Sequence, residues 1–128
     1  MTPADRRSAV RYLPRKSTFV ALRPEFSRLG KVVDISSSGL RFQYLISEDQ
    51  SVEKGRVALD MFIGSAGYYL PDISCETVYE RKLDQRGSDA MGLEQRQCGV
   101  KFGMLNREHT DKLNVFLKQH TRGVLGPE

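Results

Sequence analysis

Apolar and polar positions alternate with a period of two along most of the chain, and the alternation marks out strands. The clearest run is RVALDMFI, residues 56–63, where Val57, Leu59, Met61 and Ile63 fall on one face and Ala58, Asp60 and Phe62 on the other. In VVDISSSGLRFQY, residues 32–44, Val33 and Ile35 alternate before a small polar turn, and Leu40, Phe42 and Tyr44 alternate after it. These runs predict a pair of neighbouring strands joined through Ser36 to Gly39. The β-branched and aromatic content of residues 16–23 predicts an earlier strand. Residues 68–82 predict a long strand interrupted near Pro71, and residues 92–105 a last one with Cys98, Val100 and Phe102 inward. The loops fall at residues 24–29, 47–54 and 83–91.

The period then changes. Leu113, Phe116 and Leu117 form one stripe at helical spacing, Asn106 is a suitable N-cap, and Lys118, His120 and Arg122 complement the carboxyl end before Gly123. About six strands followed by one helix predict an all-β fold with a C-terminal helix. A small six-stranded antiparallel β-barrel is the expected closure, because it removes exposed sheet edges. Residues 1–15 lack apolar periodicity and contain Pro3 and Pro14, so they read as a flexible arginine-rich arm ahead of a domain over residues 16–122.

Charge sharpens this division. Residues 1–31 carry eight Lys/Arg against two acids, whereas residues 32–128 carry twelve against fourteen. A basic leader on a near-neutral body points to one specific anionic partner rather than to a polyanion coating the whole surface. The 128-residue length suits a single domain, and no apolar run is long enough to span a bilayer. The charged N-terminus lacks a following hydrophobic stretch, so a cytoplasmic protein without membrane insertion is expected.

The polar turn and the basic leader carry the candidate chemistry. Asp34 and Ser36 are two apart on a strand and leave the same face, while Gly39 stands where a positive φ or a close backbone approach would exclude a β-carbon. The plain alternative is a Ser/Gly hairpin. Upstream, Arg7, Arg11 and Arg15 recur every four residues. Taken in order, Arg11-x-x-x-Arg15 or Arg7-x-x-x-Arg11, about twenty intervening residues, Asp34-x-Ser36-x-x-Gly39, and a late Gly99-Val-Lys-Phe102 strand before a helix resemble the paired signature of PilZ domains, bacterial receptors for cyclic di-GMP. The resemblance covers roughly residues 6–120.

It implies a six-stranded barrel with Arg7, Arg11, Arg15, Asp34, Ser36 and Gly39 at the nucleotide and Arg6 as a further contact; Arg41, sharing the polar face of its strand with Gln43, is either another contact or a plain solvent-exposed arginine. The Arg11/Arg15 register is the preferred one, since it runs directly into the first expected strand. A stacked nucleotide pair is the expected ligand, since three spaced arginines would offset most of its four phosphate charges. The implied role is a non-enzymatic receptor that changes conformation on binding and signals to an unidentified protein partner in motility, exopolysaccharide production or a related process. A degenerate PilZ adaptor working by protein contacts alone is the alternative. A barrel for single-stranded nucleic acid is a weaker one, because most aromatics alternate inward.

Other chemistry finds little support. Asp60, Asp72, Glu76 and Glu80 are scattered along strands with no histidine or nucleophile beside them, so neither an enzyme nor a cofactor is expected. His109 and His120 lack a third ligand at metal-like spacing, and Cys75 and Cys98 read as buried free thiols.

Overall fold

The computed structural model describes residues 10–23, 28–47, 55–64, 67–83 and 93–125. These form eight strands, β1 (Arg11–Pro14), β2 (Phe19–Arg23), β3 (Arg28–Ile35), β4 (Gly39–Ser47), β5 (Arg56–Ile63), β6 (Tyr68–Lys82), β7 (Leu93–Phe102) and β8 (Thr121–Leu125), with one helix, α1 (Arg107–Gln119), between β7 and β8. The antiparallel order β2-β5-β6-β7-β4-β3 closes on itself through β2–β3, making a six-stranded barrel. Strand β1 is laid beside β3, and β8 beside β1, as a two-strand extension outside the closure.

The inward face is the apolar set expected from alternation. Leu40, Phe42, Tyr44 and Ile46 of β4 and Leu59, Met61 and Ile63 of β5 are all buried, as are Cys98, Val100 and Phe102 of β7. Alternation fails where a strand carries an extra residue. In β3 the core residues are Val32 and Ile35, three apart, because a bulge between Val32 and Asp34 leaves Val33 half-buried outside the core. The expected Val33/Ile35 pairing therefore becomes Val32/Ile35. In β6 the same happens at Pro71 and Asp72, so Leu70 and Ile73 both point inward. Asp72 takes φ 60°, and its N–H donates to the buried Asp60 carboxylate at 2.8 Å.

Helix α1 starts as expected, with the Asn106 side chain accepting from the His109 N–H at 2.7 Å. Leu113 and Phe116 are its buried residues, and the Phe116 ring lies against Tyr68, whose hydroxyl donates to the Lys112 carbonyl at 2.9 Å. The helix ends at Gln119 rather than near residue 122. His120 caps it through its N–H to the Phe116 carbonyl, the Thr121 hydroxyl donates to the Leu117 carbonyl, and the chain leaves as β8.

Two strands lie outside the six expected. The segment over Arg11–Pro14, expected to belong to a flexible arm, is a strand, and its main partner is β8 from the other end of the chain. Residues 1–9, with Arg6 and Arg7, lie outside the described residues.

Phe116 is fully buried where α1 meets the barrel. Phe116→Ala should cost about 3–5 kcal/mol, read as a lowered urea midpoint. Burial also pushes the Cys75 and Cys98 thiols from their ordinary 9.0 up to about 12. Each proton is thus held more tightly in the folded chain than in the unfolded one. Stability should be level below pH 9 and fall as pH rises toward 12, by up to about 1.4 kcal/mol per pH unit for each thiol. Cys75→Ala should have a shallower alkaline slope than the parent chain in urea titrations across that range.

Candidate functional site

Asp34 is the centre of the polar cluster on the outer wall. It follows the β3 bulge and pairs directly with Arg41 on β4, so the two side chains leave the same face. Strand β1 then crosses alongside, with Tyr12 opposite Ile35, and brings Arg11 to the same carboxylate. Asp34 is fully buried although it lies outside the barrel, because these two arginines cover it. Arg41 Nε donates to Oδ1 at 3.0 Å and to Oδ2 at 2.9 Å, and its Nη2 also donates to Oδ2. Arg11 Nη1 donates to Oδ1 at 3.0 Å. The hydrogen bonds to Asp34 raise the Arg41 pKa against the opposing effect of its own burial.

The turn after β3 is built by serines. Ser36 N–H donates to the Gly39 carbonyl at 2.8 Å, and the Ser36 hydroxyl accepts from the Ser38 N–H at 3.1 Å and lies 3.3 Å from the Gly39 carbonyl. The Ser36 side chain thus stands in for a backbone partner within the turn. Gly39 is required by close approach rather than by a positive φ. A β-carbon there would collide with the Val100 carbonyl on β7.

A second surface completes the site. Tyr79 of β6 pairs with Gly99 of β7, and its ring lies where a Gly99 β-carbon would have to be. Its hydroxyl accepts from Gln97 Nε2 at 2.8 Å, and Gln97 Oε1 accepts from Gln43 Nε2 at 3.1 Å, so the ring is held at its edge. Arg11, Ser36, Ser38, Arg41, Tyr79 and Lys101 line one open cleft of about 550 Å³. Its chemistry is that of an anion site with an aromatic wall: two guanidiniums, an ammonium, two hydroxyls and a phenol.

The structure gathers Arg11, Asp34, Ser36, Gly39 and Arg41. Arg15 lies elsewhere: its N–H donates to the His120 carbonyl at 2.8 Å, and its guanidinium reaches toward the Thr121 carbonyl at 3.5 Å. The reason is backbone geometry. Four residues make about one turn of a helix, but along an extended chain they span roughly 13 Å, and Arg15 falls past the end of β1. Tyr79 and Lys101 were not foreseen. The usable signal was Tyr79 opposite a glycine in the neighbouring strand, a pairing in which the ring covers the bare backbone.

Among the described residues no group of His, Cys, Asp or Glu could hold a metal, and no helix is long and apolar enough to cross a membrane.

Removing Arg41 would leave a fully buried carboxylate with one partner, whereas removing Arg11, whose side chain is 41% exposed, leaves the Arg41 bonds intact. Arg41→Ala should therefore lower the unfolding free energy by about 2–4 kcal/mol and Arg11→Ala by less than about 1 kcal/mol, measured by urea denaturation.

No family sequence model matches the chain, and no curated protein sequence matches it. Solved structures do. The PilZ domain with c-di-GMP of YcgR from Escherichia coli aligns at TM-score 0.65 and 16% identity, over 90% of this chain and 91% of that one. The structure of the Bacillus subtilis inhibitor of motility (MotI/DgrA) aligns at TM-score 0.49 and 16% identity, over 90% of this chain and 53% of that one, so this chain spans about half its length. With the YcgR domain matched along nearly its whole length, the barrel, its two-strand extension and its terminal helix make this chain a PilZ-like domain in fold.

Proposed function

We propose that the chain is a receptor for cyclic di-GMP, a binding protein rather than an enzyme, acting at the Asp34 cleft. The observation that carries this reading is the convergence of Arg11 and Arg41 on buried Asp34, beside the Ser36–Gly39 turn and the Tyr79 ring, in a fold shared with a domain described with that nucleotide. Cyclic di-GMP offers two phosphates and two guanines in a compact ring. A guanidinium can donate in pairs to phosphate oxygens or to the O6/N7 edge of guanine, and can stack on a base. The Tyr79 face suits stacking as well.

Asp34 serves as the pivot of the site. Arg41 holds it through both oxygens and stays in place. Arg11 holds it by one hydrogen bond and is partly exposed, so it is the group that turns to the ligand. Oδ1, which keeps its bond from Arg41 Nε, can then accept one N–H donor from the Watson–Crick edge of guanine in place of Arg11. In this account the motif register is Arg7 and Arg11, with Arg6 before it, and Arg15 is left out of the nucleotide site. Movement of Arg11 moves β1, and a shifted β1 changes the surface offered to a protein partner in motility, exopolysaccharide production or a related process. The two buried free thiols suit a cytoplasmic setting.

A second reading has its own support: Asp34 and Ser36 both have structural work to do without any ligand, as they would in an adaptor that binds only proteins.

Titration calorimetry with cyclic di-GMP separates the two. Arg11→Ala should weaken binding at least ten-fold, about 1.5–3 kcal/mol for a charged hydrogen bond, while Arg15→Ala should change it by less than about two-fold. Absence of binding to the parent chain would favour the adaptor, and an Arg15 effect larger than the Arg11 effect would reverse the register.

A further inference from the structure

Past the carboxyl end of β1 lies another cleft, of about 280 Å³. Four cations from three separate parts of the chain border it: Arg15 and Lys16 from the β1–β2 loop, Lys31 from β3 and Arg122 from β8. All four are exposed, and among the described residues none of them forms an ion pair. Among the described residues no carboxylate lines this cleft or pairs with its cations, whereas Arg11 and Arg41 at the other cleft are both paired with Asp34.

The loop that carries two of these cations is held at both ends. Arg15 N–H donates to the His120 carbonyl at 2.8 Å, and the Thr18 carbonyl accepts from the Val32 N–H at 2.8 Å. Thr18 is fully buried, and its hydroxyl donates to the Lys16 carbonyl at 2.9 Å. Like charges held together on a fixed frame repel one another, and that repulsion is relieved by an anion placed among them.

We infer that this cleft is a second anion-binding site, distinct from the Asp34 cleft, and that it takes a phosphate group. The cleft has about half the volume of the one beside Arg11 and Arg41, a size suited to a phosphate with a small substituent. The guanidiniums of Arg15 and Arg122 supply paired donors for phosphate oxygens, and the lysines add point charges. Such a phosphate could belong to a free small molecule or to a lipid headgroup. The site stands independently of the nucleotide reading.

The test is a two-dimensional amide NMR titration of the full chain with inorganic pyrophosphate at low salt, where exposed charges are screened least. Saturable shifts are expected at Lys16, Ser17, Lys31 and Arg122. The Lys31→Ala/Arg122→Ala double variant should weaken them at least ten-fold while keeping the dispersed spectrum of a folded chain, and Arg11→Ala should leave them in place. A parallel flotation assay with vesicles containing phosphatidic acid reads the other source. Vesicle binding that the double variant loses supports the site with a headgroup as its phosphate. Failure of both probes to bind, or responses unchanged in the double variant, overturns the inference.

Discussion

The outer wall of this barrel depends on one buried carboxylate. Asp34 has no contact with solvent, yet it sits outside the apolar core, where an ionised group is tolerated only if its oxygens are satisfied. Arg41 from the adjacent strand and Arg11 from β1 satisfy them. The arrangement positions three things at once: the β3–β4 face, the crossing of β1 over it, and two guanidiniums at the rim of a cleft. A hydrophobic contact at the same place could hold β1 down but would present no cations to a ligand.

Supporting contacts around Asp34 divide into those that shape backbone and those that aim side chains. Gly39 and Gly99 belong to the first group, since each lets a neighbour lie where a β-carbon would stand. Gln43 and Gln97 belong to the second, as a side-chain relay that ends on the Tyr79 hydroxyl. The terminal helix takes no part in the cleft lining and instead packs its Phe116 ring against Tyr68.

Much of the barrel was legible in the sequence because its strands obey a period of two. In β4 and β5 every core residue sits at an alternate position, and the N-cap Asn106 announces α1. Bulges were not legible: nothing in VVDI distinguishes Val32/Ile35 from Val33/Ile35 until β4 is laid beside it. Strands β1 and β8 were missed for a related reason. RYLP and TRGVL are short, contain Pro14 or Gly123, and pair mainly with each other from opposite ends of the chain. At the site, Asp34, Ser36, Gly39, Arg11 and Arg41 were all singled out from sequence. Arg15, preferred with Arg11 because that register runs into the first expected strand, lies on the β1–β2 loop and lines a different cleft.

The pairing of β1 has a consequence for how the protein is made. Only Tyr12↔Ile35 is in register between β1 and β3, whereas four positions join β1 to β8, from Arg11↔Leu125 to Pro14↔Thr121. A ribosome releases residue 125 long after it releases residue 11, so the earliest part of the site to be synthesised is the last to be seated. A nascent chain can close its barrel before this point, but β1 gains its longer pairing only once residue 125 has emerged.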